Sequence, residues 1–449
     1  MKRPATLQCF VPSFQVRGCT VSQTQLLAEA SEEVRLRQLK RLTAISLYRL
    51  KSFLFRFRWI IVGGTLAVLS VWDLVSKLPE PLVVSAAAVG LGLVIFDLNG
   101  HFRAWRSTDF VSREAESFHD LVLDAEPGGR YRVWNYPNGS FAYDKALTLA
   151  IEEGLVARKA PTGYVVPPQL APWGKRYVDW VFAQGRTKPY DGPILGWGSN
   201  IRDIPEVTTN GVELIPSTYY QHIGSDHLAT VDIKQDGDAL SNYGRRLFID
   251  RHNRLRDFRE SWLLNGIGTS ALAFTSDGML VVIGQDQRNM NSNAQLAPSG
   301  SGALEPTDMG GSDSLPLKVV AANGGNRELR EESSTQERDI LSSHFLGFGR
   351  WLNKAGRPEL FTLTFLSVDS HALRARAVNR DERQYVKDRD FVALNGKPES
   401  WDANRPDTML PTEYRHAMSV PLAAGLSLLA EKWNILEEHH RGIIARTDR

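Results

Sequence analysis

Residues 59–75 read WIIVGGTLAVLSVWDLV, and residues 82–98 read LVVSAAAVGLGLVIFDL. Each run is almost wholly apolar, and as an α-helix each would extend about 26 Å at about 1.5 Å per residue, nearly the thickness of the hydrocarbon. The link between them, SKLPEP, ends in Pro81, which suits the first turn of a helix. Either run alone could be a buried core helix, but two small-residue-rich runs in tandem favour a two-helix transmembrane hairpin.

Basic residues flank both apolar runs. Four precede the first run and four follow the second: Arg49, Lys51, Arg56, Arg58, His101, Arg103, Arg106 and Arg113. Because loops rich in Arg and Lys stay on the cytoplasmic side, the pattern predicts two spans with both termini in the cytoplasm. Residues 1–58 are then a cytoplasmic basic helical segment, which lies either on the anionic inner surface of the membrane or in solvent.

The composition is typical of a globular chain with two or three units. The 449 residues are 42% apolar and 23% charged, and the net charge of +2 excludes a general attraction to nucleic acid. Both cysteines, Cys9 and Cys19, lie near the N-terminus, so the C-terminal half has no thiol for a disulfide or a zinc site. This distribution indicates a reducing compartment.

Residues 99–260 contain a linker and a soluble domain for which the pattern indicates no particular fold. Within them, residues 222–227 read HIGSDH, which raises the question of a metal site. The two histidines are five residues apart and would not share one face of an α-helix. A loop with ordinary polar residues is therefore favoured.

An arginine-rich segment, RRLFIDRHNRLRDFRE, occupies residues 245–260. Arg245, Arg246 and Arg256 are candidate phosphate ligands because the guanidinium fork matches phosphate oxygens. Acidic residues interleave with the arginines, so a helix surface with internal ion pairs stays open as the alternative.

Residues 261–449 form the domain in which the sequence places the chemistry. Residues 268–282 alternate like a β-hairpin around the turn 276–278, and residues 297–308 (APSGSGALEPTD) are a glycine-rich loop. Residues 327–333 (RELREES) predict a helix that projects Glu328, Glu331 and Glu332 from one face. Such a cluster repels itself without a cation, and carboxylate oxygens suit Mg²⁺. Strands at 345–351 and 358–368 and a closing helix at 420–436 complete the expected pattern.

The loop and the acidic helix together resemble the Nudix hydrolase superfamily over about residues 265–370. The resemblance implies that Glu328 and Glu332 bind a metal, and that Glu328, Glu331 and Glu332 are catalytic if the site is active. It also places Gly300 and Gly302 beside the ligand. The pattern departs from the family box in several places: Asp308 stands in place of the first glutamate, 18 residues separate it from Arg327 where the family has fewer, and Gly324, Gly325, Ser334 and Thr335 are atypical.

The whole arrangement resembles the two-transmembrane Nudix effectors of bacterial cyclic-oligonucleotide antiphage signalling (CBASS). That resemblance implies a multi-pass protein of the bacterial inner membrane whose Nudix-like domain binds a cyclic nucleotide second messenger. Binding would drive homo-oligomerisation, disruption of the lipid bilayer and abortive infection. The functional partner would be a cyclic-nucleotide synthase, with no direct contact to nucleic acid.

Two other functions stay open. One is a membrane-tethered, Mg²⁺-dependent Nudix hydrolase of a nucleoside diphosphate-linked substrate, and the other is a membrane anchor for a protein partner. For all three we expect one fold class, namely an N-terminal two-helix transmembrane hairpin followed by an α+β soluble region. That region would contain a Nudix-like mixed sheet between helices.

Overall fold

A mixed sheet of nine strands is the largest element of the structure, which is a computed structural model. The structure describes residues 108–112, 130–183, 191–235, 238–240, 243–285, 295–377, 386–436 and 438–444. All of these residues belong to one compact unit.

The strands and helices are numbered in chain order. The strands are β1 (Thr108–Ser112), β2 (Tyr131–Tyr136), β3 (Gly139–Asp144), β4 (Val156–Lys159), β5 (Pro193–Trp197), β6 (Val212–Thr218), β7 (Val231–Gln235), β8 (Asp238–Leu240), β9 (Gly268–Phe274), β10 (Leu280–Gln285), β11 (Leu296–Ala297), β12 (Gly300–Ala303), β13 (Ser314–Pro316), β14 (Ile340–Trp351), β15 (Arg357–Leu366) and β16 (Val386–Val392). The helices are α1 (Lys145–Glu152), α2 (Ala171–Ala183), α3 (Ile204–Asn210), α4 (Tyr219–His222), α5 (Tyr243–Phe248), α6 (Leu317–Ser333), α7 (Ser370–Arg374), α8 (Val420–Lys432) and α9 (Glu438–Ile444). A π-helix at Ile223–His227 follows α4.

The nine-stranded sheet runs in the order β11-β10-β9-β15-β14-β3-β2, with β12 on β9 and β16 on β10. The pair β9 and β15 is parallel, and the other pairs of this sheet are antiparallel. Strands β2 and β3 come from the region 99–260, and they join this sheet through β14. A four-stranded sheet has the order β13-β4-β6-β5, and a three-stranded sheet has the order β1-β7-β8.

The hairpin predicted at residues 268–282 is confirmed as β9 and β10. Phe274 pairs with Leu280, and the backbone N–H of Thr275 donates to the carbonyl of Met279 across the turn. Gly278 has φ +85°, a left-handed conformation in which a residue without Cβ is favoured. The local turn chemistry and the alternating pattern thus agree.

Helices cover both faces of the large sheet. Ala271 on β9 lies against Gly325 of α6, while the next residue, Leu272, lies against Gly425 of α8. Because successive strand residues point to opposite faces, α6 and α8 pack on opposite sides. The predicted acidic helix and closing helix are therefore both confirmed, and the sheet between helices matches the α+β part of the expected fold.

The expected transmembrane part of the fold class is corrected. In the portion of the chain that the structure describes, no helix combines the length and the apolar character needed to cross a membrane. The longest of these helices, α6, has 17 residues that include lysine, arginines and glutamates, and the apolar α8 has only 13. The hairpin predicted over 59–98, like the basic segment 1–58, lies outside the described residues.

Candidate functional site

The glycine-rich loop and α6 approach each other closely at two glycines. A Cβ on Gly300 would lie 2.3 Å from the backbone nitrogen of Leu329, and one on Gly302 would lie 2.1 Å from Oε1 of Glu328. Neither distance is compatible with a side chain. The two glycines predicted to contact a ligand therefore hold the acidic face of α6 against β12.

The predicted acids lie on one face of α6, but their environments differ. Glu328 and Glu332 are buried, whereas the side chain of Glu331 is 41% exposed. Glu332 Oε2 accepts a hydrogen bond of 2.9 Å from the backbone N–H of Ser301, which ties α6 to the loop. Glu331 is therefore the most accessible of the three carboxylates to a ligand from solvent.

Arg327 is the positive centre of this site. Its Nε and Nη2 donate to the two oxygens of Asp308 at 2.9 and 3.0 Å, and Nη1 donates to Glu328 Oε1 at 2.8 Å. Glu331 and Glu305 lie 3.6 and 3.8 Å from Nη1. One nearly buried guanidinium thus contacts four carboxylates.

The residues between Asp308 and Arg327 explain how two positions 19 apart in sequence can pair. The first part of this insertion forms β13, which pairs with β4 of the four-stranded sheet, and the rest forms the start of α6. Gly324 and Gly325 lie within the continuous helix, where their lack of a side chain makes room for Leu304 and Thr362. The insertion therefore brings Arg327 to Asp308 and leaves α6 continuous.

The charges in the site are strongly coupled. Burial raises the pKa of Glu328 from its ordinary value of 4.5 to about 8; Arg327 opposes this rise and Glu331 adds to it. Burial also raises the pKa of Glu305, with Arg327 opposing and Glu331 and Asp308 contributing. Burial would lower the pKa of Arg327, but Glu328 and Asp308 raise it above its ordinary value. Arg327 therefore keeps its proton while Glu328 holds one at neutral pH.

The arrangement of these acids differs from the arrangement that a metal ion needs. Carboxylate oxygens are the donors that Mg²⁺ prefers. Within the described ranges, however, no three His, Cys, Asp or Glu side chains converge as metal ligands would. The guanidinium of Arg327 lies among the acids instead, so these side chains do not by themselves form a binding site for the ion.

The three predicted phosphate ligands lie elsewhere. Arg245 donates to Asn253 at 2.9 Å, and Arg256 donates through Nε to the carbonyl of Arg246 at 3.0 Å. In the described part of the chain, no hydrogen bond or ion pair joins these arginines to α6 or β12. The structure thus brings Gly300 and Gly302 to the acids but does not bring the arginine-rich segment there.

The prediction of a loop at residues 222–227 (HIGSDH) is wrong. Its backbone forms the end of α4 and a π-helix, and His222, Asp226 and His227 are all buried. Nδ1 of His222 lies 2.5 Å from Oδ2 of Asp226, and the two imidazole rings are 4.7 Å apart. In an α-helix, two residues five apart in sequence lie on different faces. In a π-helix, each residue is hydrogen-bonded to the fifth residue along, so two residues five apart lie close together.

Two further polar residues beside the loop had no recognisable sequence signal. Arg357 on β15 donates to the carbonyls of Gly302 and Gly266, each at 3.2 Å. Glu359 is buried on the same strand, where Ser270 donates to its Oε1 at 2.7 Å. Gly268 makes room for this carboxylate, because a Cβ there would lie 1.7 Å from Glu359 Oε2. In the sequence, no motif distinguishes Arg357 or Glu359 from other residues of a strand.

Comparison with known proteins adds little to this geometry. No family model matches the chain, and no curated protein matches it. Among solved structures, it is similar to the protein DR0079 from Deinococcus radiodurans, with 15% identity over 36% of this chain and 80% of that chain. The TM-score is 0.23, and a likeness at this level supports no conclusion about fold or site.

Proposed function

We propose that this chain recognises the phosphates of a nucleotide at the face formed by β12 and α6. The ligand class that we propose is a cyclic nucleotide made by a synthase of bacterial antiphage signalling. The observation that supports recognition over rapid turnover is the central position of Arg327. Its guanidinium engages Asp308 and Glu328 directly, so these carboxylates are already held by an internal partner.

The balance of charge sets a condition on this binding. Glu305, Asp308, Glu331 and Glu332 together exceed the single positive charge of Arg327, even with Glu328 protonated. A bare phosphate would be repelled by this excess, whereas one accompanied by a divalent cation would not. Mg²⁺ therefore remains part of the proposal, as a cation that enters with the ligand.

Hydrolysis of a nucleoside diphosphate-linked substrate is the second candidate. The observation that favours it is the pKa of Glu328, raised to about 8. A carboxyl group that exchanges its proton near neutral pH is suited to general acid–base catalysis. Binding and turnover must therefore be measured on the same samples.

The test titrates the intact chain with a panel of cyclic di- and trinucleotides, with and without Mg²⁺, by calorimetry and by product analysis. We expect one member of the panel to bind in a Mg²⁺-dependent manner and to remain uncleaved. Glu331→Gln, which removes the most accessible of the three carboxylates, should weaken this binding, and Glu153→Gln, at an exposed position just after α1, should leave it unchanged. Cleavage of a bound nucleotide would favour the hydrolase, and absence of both binding and cleavage would refute both candidates.

A further inference from the structure

A small cleft lies where the arginine-rich segment meets the end of β14. It is partly open to solvent, and three arginines line it together with Asp257: Arg130, Arg202 and Arg350. None of these three was a predicted ligand. The cleft involves neither α6 nor β12, so a ligand bound in it is independent of the nucleotide face formed by those two elements.

Arg350 forms the floor of this cleft and lacks an acidic partner. It is only 1% exposed, and its Nε and Nη1 donate to the carbonyls of Gly356 and Arg256 at 2.9 and 2.8 Å. Its Nη2 is buried with no hydrogen-bond partner. Across the described ranges, no carboxylate comes within ion-pair distance of this guanidinium. A buried cation with an unpaired donor is costly, and an anion would remove that cost.

The one carboxylate of the cleft is already occupied. Asp257 accepts hydrogen bonds from the backbone N–H groups of Ile201, Arg202 and Phe258, at 2.8, 2.7 and 2.8 Å. Its two oxygens are therefore engaged by the backbone, and it forms no ion pair with Arg350. A negative ligand would face three guanidinium groups and one carboxylate whose lone pairs are engaged.

The two arginines at the mouth are held in place by the fold. Arg130 pairs with Asp144 at 2.7 Å and donates to the carbonyl of Ile201 at 2.6 Å. Arg202 contacts Glu260 at 3.3 Å, and its side chain is 46% exposed. These contacts position the arginines without using all five donors that each guanidinium carries.

We propose that a small oxyanion of the phosphate class binds at the mouth of this cleft, between Arg130 and Arg202, with the charge of the buried Arg350 guanidinium behind it. Planar guanidinium groups match the oxygens of phosphate better than they match a spherical halide. The cleft is shallow and partly open to solvent, so the oxyanion would lie at its mouth and would not be enclosed. The phosphate is either the free ion or the terminal group of a nucleotide.

The experiment titrates the intact chain with inorganic phosphate at constant ionic strength, with chloride as the replaced anion. We expect phosphate to bind by calorimetry and to raise the thermal midpoint, because a ligand of the folded state stabilises it. Arg202→Gln, at a half-exposed position, should weaken binding about tenfold through loss of a charge-assisted contact. Arg251→Gln, at an exposed position outside the cleft, should bind phosphate like the parent.

A second variant and a second ligand complete the test. Arg350→Met should abolish phosphate binding, and its circular dichroism spectrum shows whether it has folded. A nucleoside 5′-monophosphate that also loses affinity in Arg202→Gln would identify a nucleotide as the source, and one that does not bind would leave the free ion. If phosphate stabilises the parent no more than chloride does, or if Arg202→Gln and Arg251→Gln bind equally, the cleft is not an anion site.

Discussion

Arg327 and Arg350 are both largely buried guanidinium groups, but the partners of Arg327 are carboxylates and the partners of Arg350 are backbone carbonyls. Arg327 lies among four carboxylates, whereas Arg350 donates to two backbone carbonyls and has a donor left over. The first site has an excess of negative charge, whereas the guanidinium of Arg350 has no carboxylate within ion-pair distance among the described residues. The comparison shows that the ligand of a polar site depends on the local balance of charge. The residue types present do not predict that ligand by themselves.

Removal of Arg327 should have the largest effect. Arg327→Met would leave the charge of Asp308 buried without its partner, so we expect a loss of about 3–5 kcal/mol in the free energy of unfolding at neutral pH. The control is Arg330→Met on the same helix, whose exposed pair with Glu337 should contribute about 0–1 kcal/mol. Urea denaturation measures both. Equal losses in the two variants would show that Arg327 is no more than a surface charge.

Overpacking of the acidic site by an added methyl group should have the second-largest effect on stability. Gly300→Ala would place a Cβ against the backbone nitrogen of Leu329, which cannot move independently of α6, so we expect a loss of about 1–3 kcal/mol. Gly442→Ala is the control, because nothing lies within 4 Å of its Cβ position in α9 and alanine favours a helix. Thermal unfolding should separate the two, and a stable Gly300→Ala would contradict the close approach of loop and helix.

Replacement of Arg350 should cost less than replacement of Arg327. Arg350→Met removes an unpaired buried charge, which is favourable, and leaves two backbone carbonyls without a donor, which is not. We expect a net loss of about 1 kcal/mol by urea denaturation without phosphate. A loss as large as that of Arg327→Met would mean that Arg350 has an acidic partner after all, and the contrast between the two arginines would disappear.

The pH dependence of the free energy of unfolding tests the protonation of Glu328 in the acidic site. Because the pKa of Glu328 is raised to about 8 in the folded chain, its contribution to stability is full below about pH 4.5 and is lost as the pH rises to about 8. Gln mimics the protonated acid, so Glu328→Gln should match the parent near pH 4 and be more stable than the parent at pH 9. A parallel pH profile for the two proteins would place Glu328 in contact with solvent.

The local features of the sequence predicted a large part of the sheet and of the acidic helix. Residues 268–282 alternate and contain their own turn, and the three glutamates need only helical spacing to share a face, so these elements depend on near neighbours. The pairing of Arg327 with Asp308 depends instead on how an 18-residue insertion folds against another sheet. That contact requires the tertiary structure.

Other expectations failed for identifiable physical reasons. The density of arginine at 245–260 indicated a phosphate site, but the arginines of the cleft at Arg130, Arg202 and Arg350 are isolated in sequence and meet only in the fold. The spacing of His222 and His227 argued against contact because the prediction assumed an α-helix. The backbone forms a π-helix there, which is rare and brings residues five apart together. Apolar length alone also suggested a membrane-crossing fold class, which the described helices do not support.

The pairing of β3 with β14 has a consequence for the order in which the chain can fold during synthesis. Thr148, just after β3, accepts a hydrogen bond from the backbone of Phe348, which lies 200 residues further along the chain. Until β14 leaves the ribosome, the β2–β3 hairpin presents an unpaired edge that invites association with other chains. Distant contacts of this kind slow folding. A chaperone that binds exposed strand edges should therefore associate with nascent chains that end before residue 340, and release them once β15 has emerged.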